Sequence, residues 1–278
     1  MNTFYLGTHM PGWLAKVEVP LFVSDTTLRK VKSLPRARGI WAIDSGGFSE
    51  LKERGAWTVP ARDYAKRVQR YQDEIGGLQW AAVQDWMTEP VILEKTGLTV
   101  EEHQERTIDS LIELRSLAPE VPWCPVLQGW RRNEHWRHFE RYLERGIDLR
   151  QEPIVGVGSV CRRQDTMSAS NEIACLSKVA GLKLHGFGFK TQGLLGSPGL
   201  DLESADSLAW SFNATKQPPL PGHDKPGPGR PWGHKTCANC LEYALMWRDD
   251  MLARVEVAHR PPPPRRASRD EGQMRLAL

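Results

Sequence analysis

Short β-prone runs recur along the first 207 residues, separated for the most part by helical stretches, and this alternation restricts the possible folds most. The runs are Phe4-Tyr-Leu-Gly7, Pro20-Leu-Phe-Val-Ser24, Ile40-Trp-Ala-Ile43, Trp80-Ala-Ala-Val83, Trp123-Cys-Pro-Val-Leu127, Ile154-Val-Gly-Val157, Leu184-His-Gly-Phe187 and Glu203-Ser-Ala205. Each is too short and too β-prone for a helix. Between them, helices are predicted near Thr26–Lys32, at about Pro60–Ile75 and Val100–Leu117, over Asn133–Arg145 and near Ser168–Ala180. The second of these places Tyr64, Val68 and Tyr71 on one face. The third opens on Thr99 as N-cap with Glu102 three residues on. Gly146 is the expected stop of the fourth. Eight strands alternating with helices predict an α/β chain folded as a (β/α)8 TIM-type barrel over residues 1–215, in preference to an open doubly wound sheet.

The polar residues that stand out sit at the carboxyl ends of these runs: Asp44, Asp85, Gln128, Gly158 and Asp206. In a barrel those ends meet at one mouth, where active sites are built. The Asp44-Ser-Gly-Gly-Phe48 segment adds a turn with room for a flat ligand and a ring to stack on it. Two carboxylates at one mouth suit substitution at an acetal-like carbon, one attacking and one moving protons. Asp206 and Asp44 are the natural pair. Asp85 would accept from a donor edge such as the N1–H and 2-amino group of guanine, and Gln128 would donate to a carbonyl. Backbone N–H groups at Gly158 and Ser159 would complete a base-shaped slot. A retaining glycosidase would need the same two acids.

Bulk properties set the remaining bounds. The 278 residues are 40% hydrophobic and include eleven tryptophans, enough for a sizeable core. No apolar run approaches the roughly 20 residues of a membrane helix. Met1 to Gly7 lacks the features of a secretion signal, so a soluble cytoplasmic protein is expected. The net charge of +3 resides in residues 260–278, a Pro- and Arg-rich tail predicted to be disordered; the rest is formally neutral. Global charge therefore does not decide whether a polyanion binds. Residues 216–259 change character. A Pro/Gly-rich segment leads into His234-Lys-Thr-Cys237-Ala-Asn-Cys240 and a helix at about Leu241–Val255. Cys237 and Cys240 are spaced as metal ligands, whereas Cys124, Cys161 and Cys175 read as buried apolar fillers. His234 is the first candidate for a third zinc ligand, and His259 or His223 for the fourth; the alternative is two cysteines that merely start a packed helix.

The ordered set of strand-end motifs resembles the tRNA-guanine transglycosylase superfamily, whose barrel enzymes exchange a guanine base for a 7-deazaguanine. Asp44-Ser-Gly-Gly-Phe48 is similar to its signature loop, Val83-Gln-Asp85 to its base-reading strand and Val126-Leu-Gln128-Gly129 to its Val-Gln-Gly element. Val155-Gly-Val-Gly158-Ser159 resembles its glycine-rich contact, His185-Gly-Phe-Gly188 its Gly-x-Gly strand, and Glu203-Ser-Ala-Asp206-Ser the strand bearing the nucleophile. The resemblance implies that Asp206 attacks the anomeric carbon and that Asp44 is the general acid and base. It further implies that Asp44, Phe48, Asp85, Gln128, Gly158, Ser159 and the His185–Phe187 strand hold the base. The tRNA-modifying members carry a Cys-x-Cys-x-x-Cys site with a distant His for zinc. Here only Cys237-Ala-Asn-Cys240 remains of it, with His234 three residues before the first Cys.

The shorter chain, Gly-Ser-Val-Cys-Arg-Arg163 and the Cys240-Leu-Glu-Tyr-Ala244 helix resemble the DNA-modifying branch, phage- and genomic-island-encoded, which places 7-deazapurines in DNA. DNA is thus the expected polymer and tRNA the alternative. Arg131, Arg132, Arg162 and Arg163 follow the fifth and sixth runs and are candidates to hold phosphates around an extruded nucleotide. A solvated basic face is the other reading of these arginines. A catalytically silent nucleic-acid-binding paralogue and a sugar-processing barrel are the competing classes.

Overall fold

The computed structural model describes residues 1–131, 133–160, 167–196, 201–227 and 232–260. Nine parallel strands form one sheet: β1 (Thr3–Thr8), β2 (Leu21–Ser24), β3 (Trp41–Asp44), β4 (Leu78–Ala82), β5 (Trp123–Cys124), β6 (Val126–Leu127), β7 (Val155–Val157), β8 (Leu184–Gly186) and β9 (Ser204–Ser207). Their spatial order is β5-β4-β3-β2-β1-β9-β8-β7-β6. The two ends of that order are consecutive pieces of chain parted by Pro125. With no N–H, this residue cannot carry the ladder through. β5 therefore pairs with β4, β6 pairs with β7, and the sheet curls into a nearly closed TIM-type barrel.

Period-two alternation sorts the strand residues between two cores. Tyr5, Phe22, Ala42, Trp80, Ala82, Cys124 and Ile154 form a cluster inside the barrel, with Phe187 packed against it. Their neighbours Phe4, Leu6, Leu21, Val23, Trp41, Ile43, Ala81 and Val83 belong to the larger cluster between strands and helices. The helix Ala61–Ile75 contributes Tyr64, Val68, Tyr71 and Ile75 to that outer layer, all fully buried. Each such side chain is worth roughly 1.5–3 kcal/mol of burial. The helix Val100–Leu117 carries the expected Thr99–Glu102 capping box. Gly146 takes a left-handed φ of 76° just past the helix Glu134–Glu144.

Several elements differ from the sequence expectation. A helix Gly47–Arg54 starts directly on the second glycine of the Asp44 segment, and a further helix spans Pro90–Thr96. The stretch predicted over 168–180 is Met167–Ala174 continued by a π-helical turn, Cys175–Val179. Asp206 lies within β9 rather than just past it. The helix Leu241–Ala258 packs on the helices Thr191–Leu195 and Ala209–Ala214, and its Tyr243, Ala244, Met251 and Val255 share the outer core. Among the described residues, no helix is long and apolar enough to cross a membrane.

Candidate active site and Cys/His cluster

The alternation that buries Phe22, Ala42 and Trp80 inside the barrel also aims the next inward residues at its mouth. Ala42 is followed two residues on by Asp44, and Ser204 by Asp206. A cavity of about 190 Å3 opens there, lined by Phe22, Asp44, Phe48, Ala82, Asp85, Met87, Glu89, Gly158, Ser159, Phe187 and Gly188. Three carboxyl groups and three phenyl rings thus line one open cavity.

Burial raises the Asp44 carboxyl above the usual carboxylate range. Hydrogen bonds from the Gly46 N–H and the Ser24 hydroxyl oppose that rise, and the Asp206 and Asp25 charges add to it. Asp85 is pushed up to about 7, chiefly by burial and then by the Asp44 charge. A carboxyl that is neutral near pH 7 can give a proton as well as accept one. Asp206 is held differently. Its Oδ1 accepts the Gly188 N–H at 2.8 Å and lies 3.3 Å from His185 Nε2. His185 Nδ1 is in turn 2.9 Å from the Ser204 hydroxyl.

Two residues expected to touch a base stand one layer back. Gln128 is fully buried, its amide 2.5 Å from Asp85 Oδ2 and 2.7 Å from Ser159 Oγ. A Cβ on Gly158 would lie 2.2 Å from Gln128 Nε2, so only glycine lets that amide pass behind the cavity wall. His185 is fully buried against Asp206 and Trp80, ring centroids 4.6 Å apart in the second case. Phe187 is the residue of that strand which reaches the cavity. Both glycines of the Asp44 segment are closely surrounded. A Cβ on Gly46, at φ 86°, would meet Thr26 at 2.5 Å. One on Gly47 would meet Met87 and Trp57 at 3.0 Å and Asp85 at 3.2 Å. They clear these protein neighbours, and Phe48 follows on the first turn of the helix they start.

Ser159 lines the cavity at a left-handed φ of 56° that is uncommon outside glycine. Phe22, Ser24 and Glu89 had not been singled out in the sequence. Ser24 ends the second strand-like run, so the strand-end rule would have found it, whereas Phe22 lies inside that run. Glu89 lies in the loop beyond Asp85 and carries no such signal. Trp86 packs under Arg106 and against His103, away from the cavity. Arg131 is exposed on a neighbouring groove with Trp130, Glu134 and Arg137, while Arg132, Arg162 and Arg163 lie outside the described residues.

A second cluster lies on the C-terminal segment. His223, His234, Cys237 and Cys240 place one ligand atom each within 4.8 Å of one another. His223 Nδ1 is 3.6 Å from both thiols, and its Nε2 is 3.1 Å from Glu242. Two thiolates and two imidazoles are a tetrahedral zinc set, and a carboxylate on the far imidazole nitrogen fixes the tautomer such a ligand needs. The donor set therefore fits zinc. The fourth candidate ligand is His223, while His259 caps the helix Leu241–Ala258 instead. The segment is tied to the barrel by Ser211 Oγ donating to Ala238 O at 2.9 Å and by the His9–Asn239 contact at 2.5 Å.

Comparison with known proteins settles the family. The family described as DpdA, DeoxyPurine in DNA protein A, matches residues 1–265. The chain belongs to that family. Membership supports an enzyme of DNA-modifying, transglycosylase-like type with DNA as its substrate. Among solved structures, the barrel is similar to a putative fructose-1,6-bisphosphate aldolase from Coccidioides immitis, at TM-score 0.52 and 10% identity over 92% of this chain and 91% of that one. At that identity the likeness concerns the fold alone. No curated protein matches the chain.

Proposed function

We propose that the protein exchanges guanine in DNA for a 7-deazaguanine base through a covalent glycosyl-aspartate on Asp206, as a pentosyltransferase. The observation that carries this reading is that Asp44 and Asp85, two carboxyls driven upward by burial, line one cavity together with Gly188, whose N–H donates to Oδ1 of Asp206, itself not a lining residue. The target nucleotide must leave the stack to reach such a cavity. There Phe22, Phe48 and Phe187 offer faces for a flat base, and Asp85 accepts from its donor edge.

The Gly188 N–H pins Oδ1 of Asp206, which leaves Oδ2 to attack the anomeric carbon. The carbon–nitrogen bond breaks as the carbon–oxygen bond forms, and protonated Asp44 gives its proton to the departing guanine. In the second half the incoming base loses its ring proton to Asp44 and attacks the same carbon. Asp206 departs as carboxylate, so two inversions give net retention. A zinc ion held by His223, His234, Cys237 and Cys240 would staple the C-terminal segment to the barrel and take no part in these steps. Arg131 would meet a phosphate near the mouth.

The test is peptide mass spectrometry after rapid acid quenching of protein mixed with DNA. A sugar adduct on the peptide containing Asp206, absent when tRNA replaces DNA, is the expected result. An adduct formed only with tRNA would move the substrate to the other polymer. Complete exchange without any adduct would remove the covalent route.

A further inference from the structure

Inside the barrel, one fully buried imidazole sits in a box of aromatic rings. The His185 ring centroid lies 4.6 Å from that of Trp80, 4.9 Å from Phe187, 5.6 Å from Phe22 and 5.9 Å from Tyr5. A Leu, Met or Phe side chain would fill that box at no polar cost. An imidazole there must find a partner for each ring nitrogen. It finds both on the neighbouring strand. His185 on β8 is paired in register with Ser204 on β9, and Asp206 follows two residues on, on the same inward face. Nδ1 is 2.9 Å from Ser204 Oγ and Nε2 is 3.3 Å from Asp206 Oδ1, so the ring bridges the two.

The direction of the Asp206 contact follows from the charge that an attacking carboxylate must carry. A carboxylate oxygen has only lone pairs to offer, so His185 Nε2 carries the hydrogen whenever Asp206 is ionised. Ser204 Oγ can give its hydrogen to Nδ1 or take one from it, and it fixes the ring plane in either case. The opposite tautomer, with Nε2 bare, fits only a protonated Asp206, which cannot attack. Oδ1 thus receives two N–H groups, one from the Gly188 backbone at 2.8 Å and one from His185.

We infer that His185 is a positioning residue that makes Asp206 a good leaving group, so that the glycosyl-aspartate breaks down instead of accumulating. The inference rests on the base-exchange reading. With the sugar on Oδ2, Oδ1 is the carbonyl oxygen of an ester and accepts hydrogen bonds weakly. When the incoming base attacks, the bond between the anomeric carbon and Oδ2 breaks, and its electron pair returns to the carboxylate. The ring proton of that base goes to Asp44. The returning charge spreads onto Oδ1, where two N–H groups already point. The same donors hold the free carboxylate before attack, so they favour it over the ester in both directions. Loss of the His185 N–H therefore shifts the balance toward the covalent intermediate, whereas loss of a residue that only fills the core slows both halves alike.

The test is rapid-quench measurement of the adduct on the peptide containing Asp206, with DNA and a saturating 7-deazaguanine base. His185→Met fills the box without a donor, and His185→Gln keeps an N–H of similar reach. In His185→Met, breakdown of the adduct should slow roughly 10- to 100-fold relative to its formation, and the adduct should build up. His185→Gln should restore most of the breakdown rate. Equal slowing of both halves in His185→Met with no recovery in His185→Gln, or unchanged rates in His185→Met, would overturn the inference while leaving the covalent route intact. Exchange by the wild type without any adduct would remove the route and this role together. A second measurement needs neither DNA nor turnover. Nitrogen-15 NMR of the histidine rings should show a hydrogen on Nε2 of His185, with a resonance that moves in Asp206→Asn and in Ser204→Ala. A bare Nε2 in the wild-type protein would overturn the inference whatever the variants do.

Discussion

The barrel mouth and the Cys/His cluster are assembled in opposite ways. The mouth gathers Asp44, Asp85, Ser159 and Asp206 from four separate strand ends, spread over more than 160 residues, and only the closed sheet brings them together. The cluster draws its four candidate ligands, His223, His234, Cys237 and Cys240, from within 18 positions of the chain. A side chain at the mouth is positioned by burial and register, which also shift its protonation. A candidate ligand in the cluster is positioned by its partners, and a bound ion would tie the four together.

Loss of Asp206 separates the two regions most sharply. Asp206→Ala should lower exchange by about 10^4-fold or more, as expected when an attacking group is removed, with unchanged metal content. Measured turnover with labelled base would check this. Cys237→Ser should do the reverse. It should remove about one zinc per chain, measured by elemental analysis, and lower the thermal midpoint by several degrees. Exchange per folded molecule should change little.

Protonation gives the next effect. The folded Asp85 carboxyl sits near 7 against an ordinary value of 3.8, so the native state binds more protons than the unfolded state between those values. Stability must then fall as pH rises from about 4 to about 7, by a ceiling of about 4 kcal/mol for one group. Asp85→Asn should therefore gain stability over wild type at pH 8 and lose that advantage at pH 4, in denaturant titrations at each pH. A Gly158→Ala side chain would press on the Gln128 amide and should cost about 1–3 kcal/mol while weakening base binding. Arg131→Ala is the mildest change. It should weaken DNA binding a few-fold and reduce the salt slope by about one phosphate contact, measured by titration at several salt concentrations.

The sequence disclosed the mouth better than it disclosed what each residue there does. Asp44 and Asp206 were legible because a polar residue ending an apolar run stands out, and because inward parity then carries it to the barrel axis. Pro125 resets that parity, so Gln128 turns inward behind Gly158, and nothing in Val126-Leu-Gln128 signals that its amide ties Asp85 to Ser159. The glycines of the Asp44 segment were legible as a sharp turn. That they clear Thr26, Met87 and Trp57 depends on neighbours far along the chain. Glu89 was invisible for the same reason, since it follows a strand end by a loop of no fixed geometry. In the cluster the Cys237–Cys240 spacing carried the information. His223 could not be told from His259 by distance along the chain.

The most direct measurement is release of labelled guanine from duplex and single-stranded DNA, with nucleoside mass spectrometry of the product after a 7-deazaguanine base is supplied. The wild-type protein should release guanine and leave the deazaguanine nucleoside in the DNA, while Asp206→Ala should do neither. Full exchange by Asp206→Ala, or exchange confined to tRNA, would contradict the assignment of this site.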